Sequence, residues 1–196
     1  MRVESTGFKT FSELAWDMKT KSMIDLETGL QLVPFNGDQL QIARAIRWSL
    51  GPEVGKYFFL DGEETYSSLF TMYSGATLNP SVGLFEITTP DNTPIGFADI
   101  AYLDTPIPST AILIGDKSQW HHGFGSTAIS MLHIRAKEAG FRRVQAKIHG
   151  DNERSLEIYQ RFAPNITVVS RNPDVLYFTL DLAQWEPANP IRMVIE

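Results

Sequence analysis

Two short segments of the chain combine residue types that could bind an anion and move a proton. The first spans residues 120–128 and holds two histidines followed by Gly-Phe-Gly, and the second starts at Asn152 and runs to Tyr159. Gly123 and Gly125 predict a tight turn that leads directly into a helix. Backbone N–H groups at a helix N-terminus lack partners within the helix, so such a turn favours an anion. The alternative is a turn that needs small residues for packing, and this motif alone leaves both interpretations open.

Polar side chains around the turn could add donors to the same anion. His121 and His122 precede the glycines, and Ser126 follows them with a hydroxyl. The imidazoles either contact a phosphate or are solvent-exposed loop residues. Adjacent loop histidines rarely serve one metal, and no carboxylate-rich motif accompanies them, so we expect no metal site.

The second segment places three polar residues on one helix face. Asn152, Ser155 and Tyr159 follow i, i+3 and i+7 spacing. Asn152 is a natural N-cap and equally a candidate ligand contact. Tyr159 is either a buried core tyrosine or a proton donor, because a phenol with a pKa near 10 stays protonated at neutral pH.

Composition narrows the class of protein. The chain has 196 residues, of which 43% are hydrophobic and 20% charged, as expected for one globular domain. A net charge of −6 argues against a nucleic-acid binder. The absence of cysteine excludes disulfides, thiolate catalysis and cysteine-bound zinc. No apolar run approaches the roughly 20 residues of a membrane span, and no signal-peptide pattern is present. We therefore expect a cytoplasmic protein without a membrane partner.

The spacing of apolar residues and the positions of proline and glycine predict a mixed α/β fold. We expect an N-terminal extension (1–28), a main domain (29–183) and a surface tail (184–196). The extension carries a helix signal up to about Asp25. Predicted helices are Asp38-capped Gln39–Leu50, Glu63–Tyr73, Gly125–Ala139 and Asn152–Phe162. Predicted strands are Leu30–Phe35, Ser81–Thr89, Ile95–Leu103, Thr110–Gly115, Arg143–Ile148, Thr167–Ser170 and Val175–Leu182. The sheet should be largely antiparallel, with helices on both faces and one parallel pair formed by the strands at 110 and 143. The apolar strand at 110 should be buried on both of its faces.

The region from about Thr110 to Phe162 resembles the acetyl-coenzyme A binding half of the GCN5-related N-acetyltransferases (GNAT). The phosphate loop of that family has the form Gln/Arg-x-x-Gly-x-Gly/Ala, and residues 120–125 fall on it. The next helix of the family begins near an Asn and carries a Tyr seven residues on, which Asn152 and Tyr159 match. Trp120 departs from the motif by replacing Gln or Arg.

The resemblance implies a set of cofactor contacts. The parallel strands would splay apart, and the pantetheine arm of coenzyme A would lie between them. The pyrophosphate would bind at the glycine turn, and Asn152 would contact the pantetheine arm. The residues implied as acetyl-coenzyme A contacts are Ile112, Leu113, Ile114, Gly115, His121, His122, Gly123, Phe124, Gly125, Ser126, Thr127, Asn152 and Ser155.

The resemblance also implies the chemistry. An amine would attack the thioester directly, main-chain donors would stabilise the developing oxyanion, and Tyr159 would protonate the departing thiolate. The amine must be neutral to attack, so a base is required. Glu86 and Asp99 on the hairpin strands are the candidates, and each could instead be an ordinary solvated residue. The acceptor should contact residues 56–73 and the hairpin, where several aromatic side chains line a pocket or belong to the core.

These features favour an acetyl-coenzyme A dependent N-acetyltransferase. Its acceptor would be a primary amine of a small molecule, a protein N-terminus or a lysine, and the enzyme could be a homodimer. A second reading is a related fold that binds coenzyme A or a protein partner without turnover. A third, a phosphate-binding module of unrelated fold, is disfavoured by the helix that carries Asn152 and Tyr159.

Overall fold

The computed structural model describes residues 19–57, 65–172, 174–187 and 191–195. Most of the helix predicted near the N-terminus lies outside these residues. Its last residues, Met23–Asp25, form a strand instead, because they pair with two other strands of the sheet. No helix within the described ranges is long and apolar enough to cross a membrane.

One sheet of nine strands forms the centre of the described structure. The strands are β1 Met23–Asp25, β2 Gln31–Pro34, β3 Val82–Thr88, β4 Pro94–Ala101, β5 Ser109–Ile114, β6 Arg143–His149, β7 Ile166–Asn172, β8 Val175–Asp181 and β9 Met193–Ile195. Their order in the sheet is β7-β8-β6-β5-β4-β3-β2-β1-β9. Neighbouring strands are antiparallel, except for the parallel pair β5 and β6. This confirms the predicted sheet type and the predicted parallel pair.

Four α-helices that lie wholly within the described residues cover the two faces of the sheet, and each start is either capped or opened by a glycine. They are α1 Gln39–Ser49, α2 Tyr66–Leu78, α3 Phe124–Glu138 and α4 Glu153–Gln160. Asp38 caps α1 as predicted, with its carboxylate accepting from the N–H of Leu40 at 2.7 Å. The predicted start of α2 at Glu63 lies outside the described residues. Its end lies beyond the predicted Tyr73, because the first strong breaker is Pro80.

Each face of the sheet has its own apolar cluster. The face under α1 and α2 buries Ile42, Ile46, Trp48, Leu69 and Tyr73 together with strand residues. The opposite face carries α3 and α4 and a larger cluster. Helices on both faces were predicted, and the two clusters show why: the central strands must be covered on both sides.

The C-terminal region is part of this core. Trp185 is 2% exposed and packs edge-on against His133 and Phe162. Met193–Ile195 pair with β1 at the edge of the sheet. The sequence placed both segments in a surface tail. A three-residue strand is too short to show a period, and a tryptophan between polar neighbours gives no local sign of burial.

The parallel pair is open. Strands β5 and β6 share only the register pair Ser109 and Gln145, at one end. Strand β6 is in register with β8 on its other side at every position from Arg143 to His149. A wedge-shaped gap therefore interrupts the sheet between β5 and β6.

Candidate active site

The gap between β5 and β6 leads into a cavity of about 870 Å³. Its walls come from β5, the turn before α3, the end of β6 and the exposed side of α4. The prediction that β5 is buried on both faces is therefore only half right: Thr110 and Leu113 are buried, and the other residues of the strand are not. Ala111 is exposed, because the cavity replaces protein on that side.

The backbone of β5 alternates in direction. The N–H of Gly115 bonds to the carbonyl of Ile95 in β4 at 2.8 Å. Because facing residues of an antiparallel pair alternate, Leu113 shares this direction, and the main-chain groups of Ile112 and Ile114 point into the gap. Gly115 also packs on the ring of Trp48 so tightly that a Cβ would lie 2.0 Å from it. Of the four residues from Ile112 to Gly115 that were assigned to the cofactor, Ile112 and Ile114 thus present their main chain to the gap.

Helix α3 begins at the cavity without a side-chain cap. Gly123 is its N-cap, with φ of +84° and no side-chain hydrogen bond. The side chains of Asp38, Thr65 and Asn152 cap the other three described helices. The first bond within α3 runs from the N–H of Thr127 to the carbonyl of Gly123 at 3.0 Å, so the three preceding N–H groups have no partner within the helix.

Small residues are needed at this helix start. A Cβ on Gly125 would lie 3.3 Å from the Cδ1 atoms of both Ile112 and Ile158. Gly123 has open space around it, and its left-handed backbone is what requires glycine. Gly125 therefore supports the packing interpretation of the turn, and Gly123 is compatible with the anion interpretation.

The polar neighbours of the turn differ in their availability. His121 and His122 are exposed and line the cavity. The hydroxyl of Ser126 donates to the carbonyl of Gly123 at 2.7 Å, so its proton is committed to the turn. Thr127 is absent from the described lining of the cavity.

Trp120 brings a cation to the loop in a way that the sequence did not suggest. Its indole N–H donates to the carbonyl of Ile114 at 2.9 Å, which anchors the ring at the end of β5. The guanidinium carbon of Arg154, in the first turn of α4, lies 3.7 Å from the centre of that ring. A positive charge thus stands beside the position where the GNAT motif has Gln or Arg.

Asn152 and Ser155 lie at the start of α4 and line the cavity. The side-chain oxygen of Asn152 accepts from the N–H of Ser155 at 3.3 Å, which makes it the N-cap. The cap occupies one oxygen and leaves the amide hydrogens of Asn152 as donors. The capping and the ligand interpretations are therefore compatible.

Tyr159 closes the floor of the cavity and is 6% exposed. Its ring packs against His133, Phe162 and Phe178. Burial raises the pKa of Tyr159, a hydrogen bond from Thr110 opposes that shift, and the nearby charge of Asp99 adds to it. The phenol is therefore protonated throughout the physiological range.

The two predicted bases differ sharply. Glu86 is buried on β3 and is held by Arg44, with a nitrogen–oxygen distance of 2.7 Å. It is not among the described residues that line the cavity. Asp99 on β4 lines the cavity, and no described side chain forms an ion pair with it. Burial raises the pKa of Asp99 to about 7.

The end of the cavity beside Asp99 is mostly apolar and aromatic. Val54, Met72, Phe97 and Tyr102 contribute to its wall. Tyr102 has a left-handed φ of +60°, although its ring is bulky and 58% exposed. Such a conformation costs about 1–3 kcal/mol and concentrates at functional sites. The sequence did not predict a role for Tyr102, because no neighbouring residue indicates that its backbone has a positive φ.

A short segment, residues 53–57, joins the two sides of the gap. Glu53 pairs with Lys117 after β5 at 2.9 Å. The hydroxyl of Tyr57 donates to the carbonyl of Asp151 after β6 at 3.3 Å, and its ring packs near His149. Part of the predicted acceptor region, 56–73, therefore lies at the cavity, whereas Phe58 and Phe59 fall outside the described residues. Tyr66 and Phe70 are exposed and absent from the described lining, and Tyr73 is buried against Phe97.

Comparison with known proteins places this geometry in a family. The chain resembles the solved structure of a GNAT-family acetyltransferase from Bacillus anthracis, with 15% identity and a TM-score of 0.66 over 83% of this chain and 99% of that one. Spermidine N-acetyltransferase from Vibrio cholerae, solved with CoA and spermine, is 12% identical to the chain, with a TM-score of 0.64 over 84% of this chain and 97% of that one. The ribosomal L7/L12 alpha-N-protein acetyltransferase RimL, in its apo form, is 17% identical to the chain. Its TM-score is 0.63 over 81% of this chain and 93% of that one.

These likenesses establish the fold, and the sequence establishes the family. No curated protein sequence matches the chain significantly. The model of the acetyltransferase (GNAT) domain matches residues 30–162, which is more than half of the chain and includes the glycine turn, Asp99 and Tyr159. The chain therefore belongs to the GNAT acetyltransferase family and is an N-acetyltransferase.

Proposed function

We propose that the enzyme transfers an acetyl group from acetyl-coenzyme A to a primary amine by direct attack. One observation supports this most: the uncapped start of α3, the acidic Asp99 and the phenol of Tyr159 open onto the same cavity. An anion site, a base near neutral pKa and a protonated acid are the groups that this transfer needs.

The residues present fit acetyl-coenzyme A. The free N–H groups at the start of α3 and the guanidinium of Arg154 suit a pyrophosphate. The main chain of Ile112 and the N–H of Ile114, whose carbonyl already accepts from Trp120, suit an extended pantetheine arm. When bound, acetyl-coenzyme A supplies a thioester whose carbonyl accepts the amine and whose thiol departs. His121 and His122 lie at the exposed edge of this site, where they add donors to the phosphates.

Asp99 is the better candidate for the base. It faces the cavity, and a pKa of about 7 lets it hold a proton from an ammonium ion at neutral pH and release it again. Glu86 is not among the described residues that line the cavity, and its carboxylate is paired with Arg44. Tyr159 is the acid, since its phenol keeps its proton until a thiolate needs it.

The acceptor enters beside Asp99, between Tyr102, Met72 and the segment 53–57. This end can take an amine on a small molecule or on an extended polypeptide terminus, and its apolar wall suits the carrier of the amine rather than the amine itself. The acidic Asp99 attracts the amine in its ammonium form.

Calorimetry with acetyl-coenzyme A, followed by thiol release with a panel of amines, tests the proposal. Binding and release on at least one small amine or peptide are expected. No heat at millimolar ligand would refute the coenzyme site, and binding without release on any acceptor would leave a coenzyme-binding protein.

A matched pair of glycine variants tests the position of the phosphates. Gly123 and Gly140 flank α3, both with left-handed φ, and a Cβ meets nothing closer than 4.0 Å at either. Gly123→Ala and Gly140→Ala therefore cost similar stability, about 1 kcal/mol each. Only Gly123→Ala should weaken coenzyme binding, by roughly tenfold, because its methyl group occupies the space that the phosphates approach.

A further inference from the structure

Two buried polar side chains lie beside Tyr159, and the reaction assigns no role to either of them. Thr110 on β5 is 2% exposed and His133 on α3 is fully buried. The hydroxyl of Thr110 lies 3.2 Å from Nε2 of His133. A side-chain hydrogen bond from Thr110 also opposes the rise in the pKa of Tyr159 that burial causes. The three groups form a short chain that ends at the cavity.

His133 is neutral in this chain. Its ring is surrounded by Phe162, Trp185 and Tyr159, and burial lowers its pKa to about 3. A neutral imidazole has one N–H and one lone pair. The protein has therefore to place a single proton on either Nδ1 or Nε2.

The surroundings of the ring decide the tautomer. Nδ1 of His133 is buried and has no hydrogen-bond partner among the described residues. A buried N–H without a partner is rarer than an unused acceptor, so Nδ1 carries the lone pair. Nε2 then carries the proton and donates it to the oxygen of Thr110.

The direction of each following bond is then fixed. Because Thr110 accepts from His133, it turns its own proton to the oxygen of Tyr159. Tyr159 accepts this bond, so its own proton is left for the cavity that it lines.

We propose that His133 and Thr110 are positioning residues that orient the O–H of Tyr159 toward the departing thiolate. The proposal rests on the role of Tyr159 as the acid. The step itself transfers one proton: the O–H bond of Tyr159 breaks as the S–H bond forms, and the phenolate recovers a proton from water.

Nitrogen NMR of the histidine side chains tests the tautomer directly, with His133→Phe used to assign the signal. We expect a neutral ring protonated at Nε2 from pH 5 to 9. A ring protonated at Nδ1, or one that becomes cationic in this range, would overturn the proposal.

Kinetics test the consequence. Thr110→Val and His133→Phe preserve shape and should each lower kcat about tenfold, a part of the roughly 10²–10⁴-fold that acid catalysis supplies, with KM and coenzyme affinity unchanged. Thr110→Ser keeps the hydroxyl and should restore most of kcat. Thermal unfolding checks that each variant folds. If His133→Phe does not fold, the comparison of kcat between Thr110→Ser and Thr110→Val still tests the proposal.

A double-mutant comparison separates positioning from structure. In a Tyr159→Phe background, Thr110→Val should cause no further loss of kcat, because there is no proton left to orient. A full additional loss would show a structural role and overturn the proposal while the acetyltransferase function stands. If Tyr159→Phe alone leaves kcat unchanged, then Tyr159 is not the acid and the proposal falls with that assignment.

Discussion

Glu86 and Asp99 lie on neighbouring antiparallel strands and on the same face of the sheet, since Glu86 stands opposite Phe97 and Asp99 follows Phe97 by two residues. Arg44 meets the first carboxylate, whereas the second borders the cavity without an ion pair from any described residue. The sequence made both residues candidates for the base, but the structure pairs one carboxylate with an arginine and leaves the other at the cavity. The paired carboxylate contributes to the fold, and the isolated one is free to exchange a proton.

Replacing Asp99 should have the largest effect. Asp99→Asn removes the base without changing the shape of the cavity, so kcat/KM should fall about 10²–10³-fold. Steady-state kinetics with a fixed amine measures the loss, and calorimetry should show unchanged affinity for acetyl-coenzyme A. Glu86→Gln is the matched control and should keep its turnover per folded molecule. The opposite pattern would exchange the roles of the two carboxylates.

The pH profile should sharpen the comparison. Asp99 must be deprotonated to act, and its pKa is about 7, so kcat/KM should rise about tenfold per unit below pH 7 and roughly 30-fold between pH 5.5 and 8. The ionisation of the acceptor amine contributes its own slope in every variant. The limb near pH 7 should therefore survive in Glu86→Gln and disappear in Asp99→Asn.

Stability should respond in the opposite sense to activity. The pKa of Asp99 is raised in the folded state, so the folded protein holds this proton more tightly than the unfolded chain. Its contribution is favourable below about pH 4 and is lost as the pH rises through 7. Asp99→Asn should therefore be more stable than the wild type at pH 8, by about 1–2 kcal/mol once the solvent of the cavity is allowed for, with no gain at pH 4. Urea unfolding at the two pH values measures this difference.

The smallest effect is expected at the paired carboxylate. Glu86→Gln leaves the guanidinium of Arg44 without its counter-charge, but the amide oxygen still accepts a hydrogen bond and Arg44 reaches solvent. We expect a loss of about 1 kcal/mol in the free energy of unfolding. A loss as large as that of a fully buried charge would mean that Arg44 is less accessible than its position indicates.

Local signals predicted much of the fold. Asp38 gave the start of α1, Gly123 and Gly125 gave the start of α3, and alternation gave the hairpin of β3 and β4. The short strands β1 and β9 could not be predicted, because their stability comes from each other and from β2 rather than from their own residues.

The sequence predicted several of the residues that line the cavity, but not the contacts that give these residues different properties. The glycine turn, Asn152, Tyr159 and Asp99 all face one cavity. Asp99 differs from Glu86 because Arg44 pairs with Glu86. Arg44 lies 42 residues before Glu86 in the chain, and nothing in the sequence around either residue predicts this contact. Likewise, the guanidinium of Arg154 lies over Trp120 only because α4 brings the two residues together.

The wedge between β5 and β6 has a consequence for how the molecule opens. It divides the nine strands into a block of six, from β9 to β5, and a block of three, formed by β6, β8 and β7. We expect the backbone bonds within each block to form and break together, because a single register pair, Ser109 and Gln145, joins the blocks. Native-state hydrogen exchange should therefore reveal two protection classes with their boundary at Ser109 and Gln145, and a ligand that bonds to both edges should merge them into one cooperative unit.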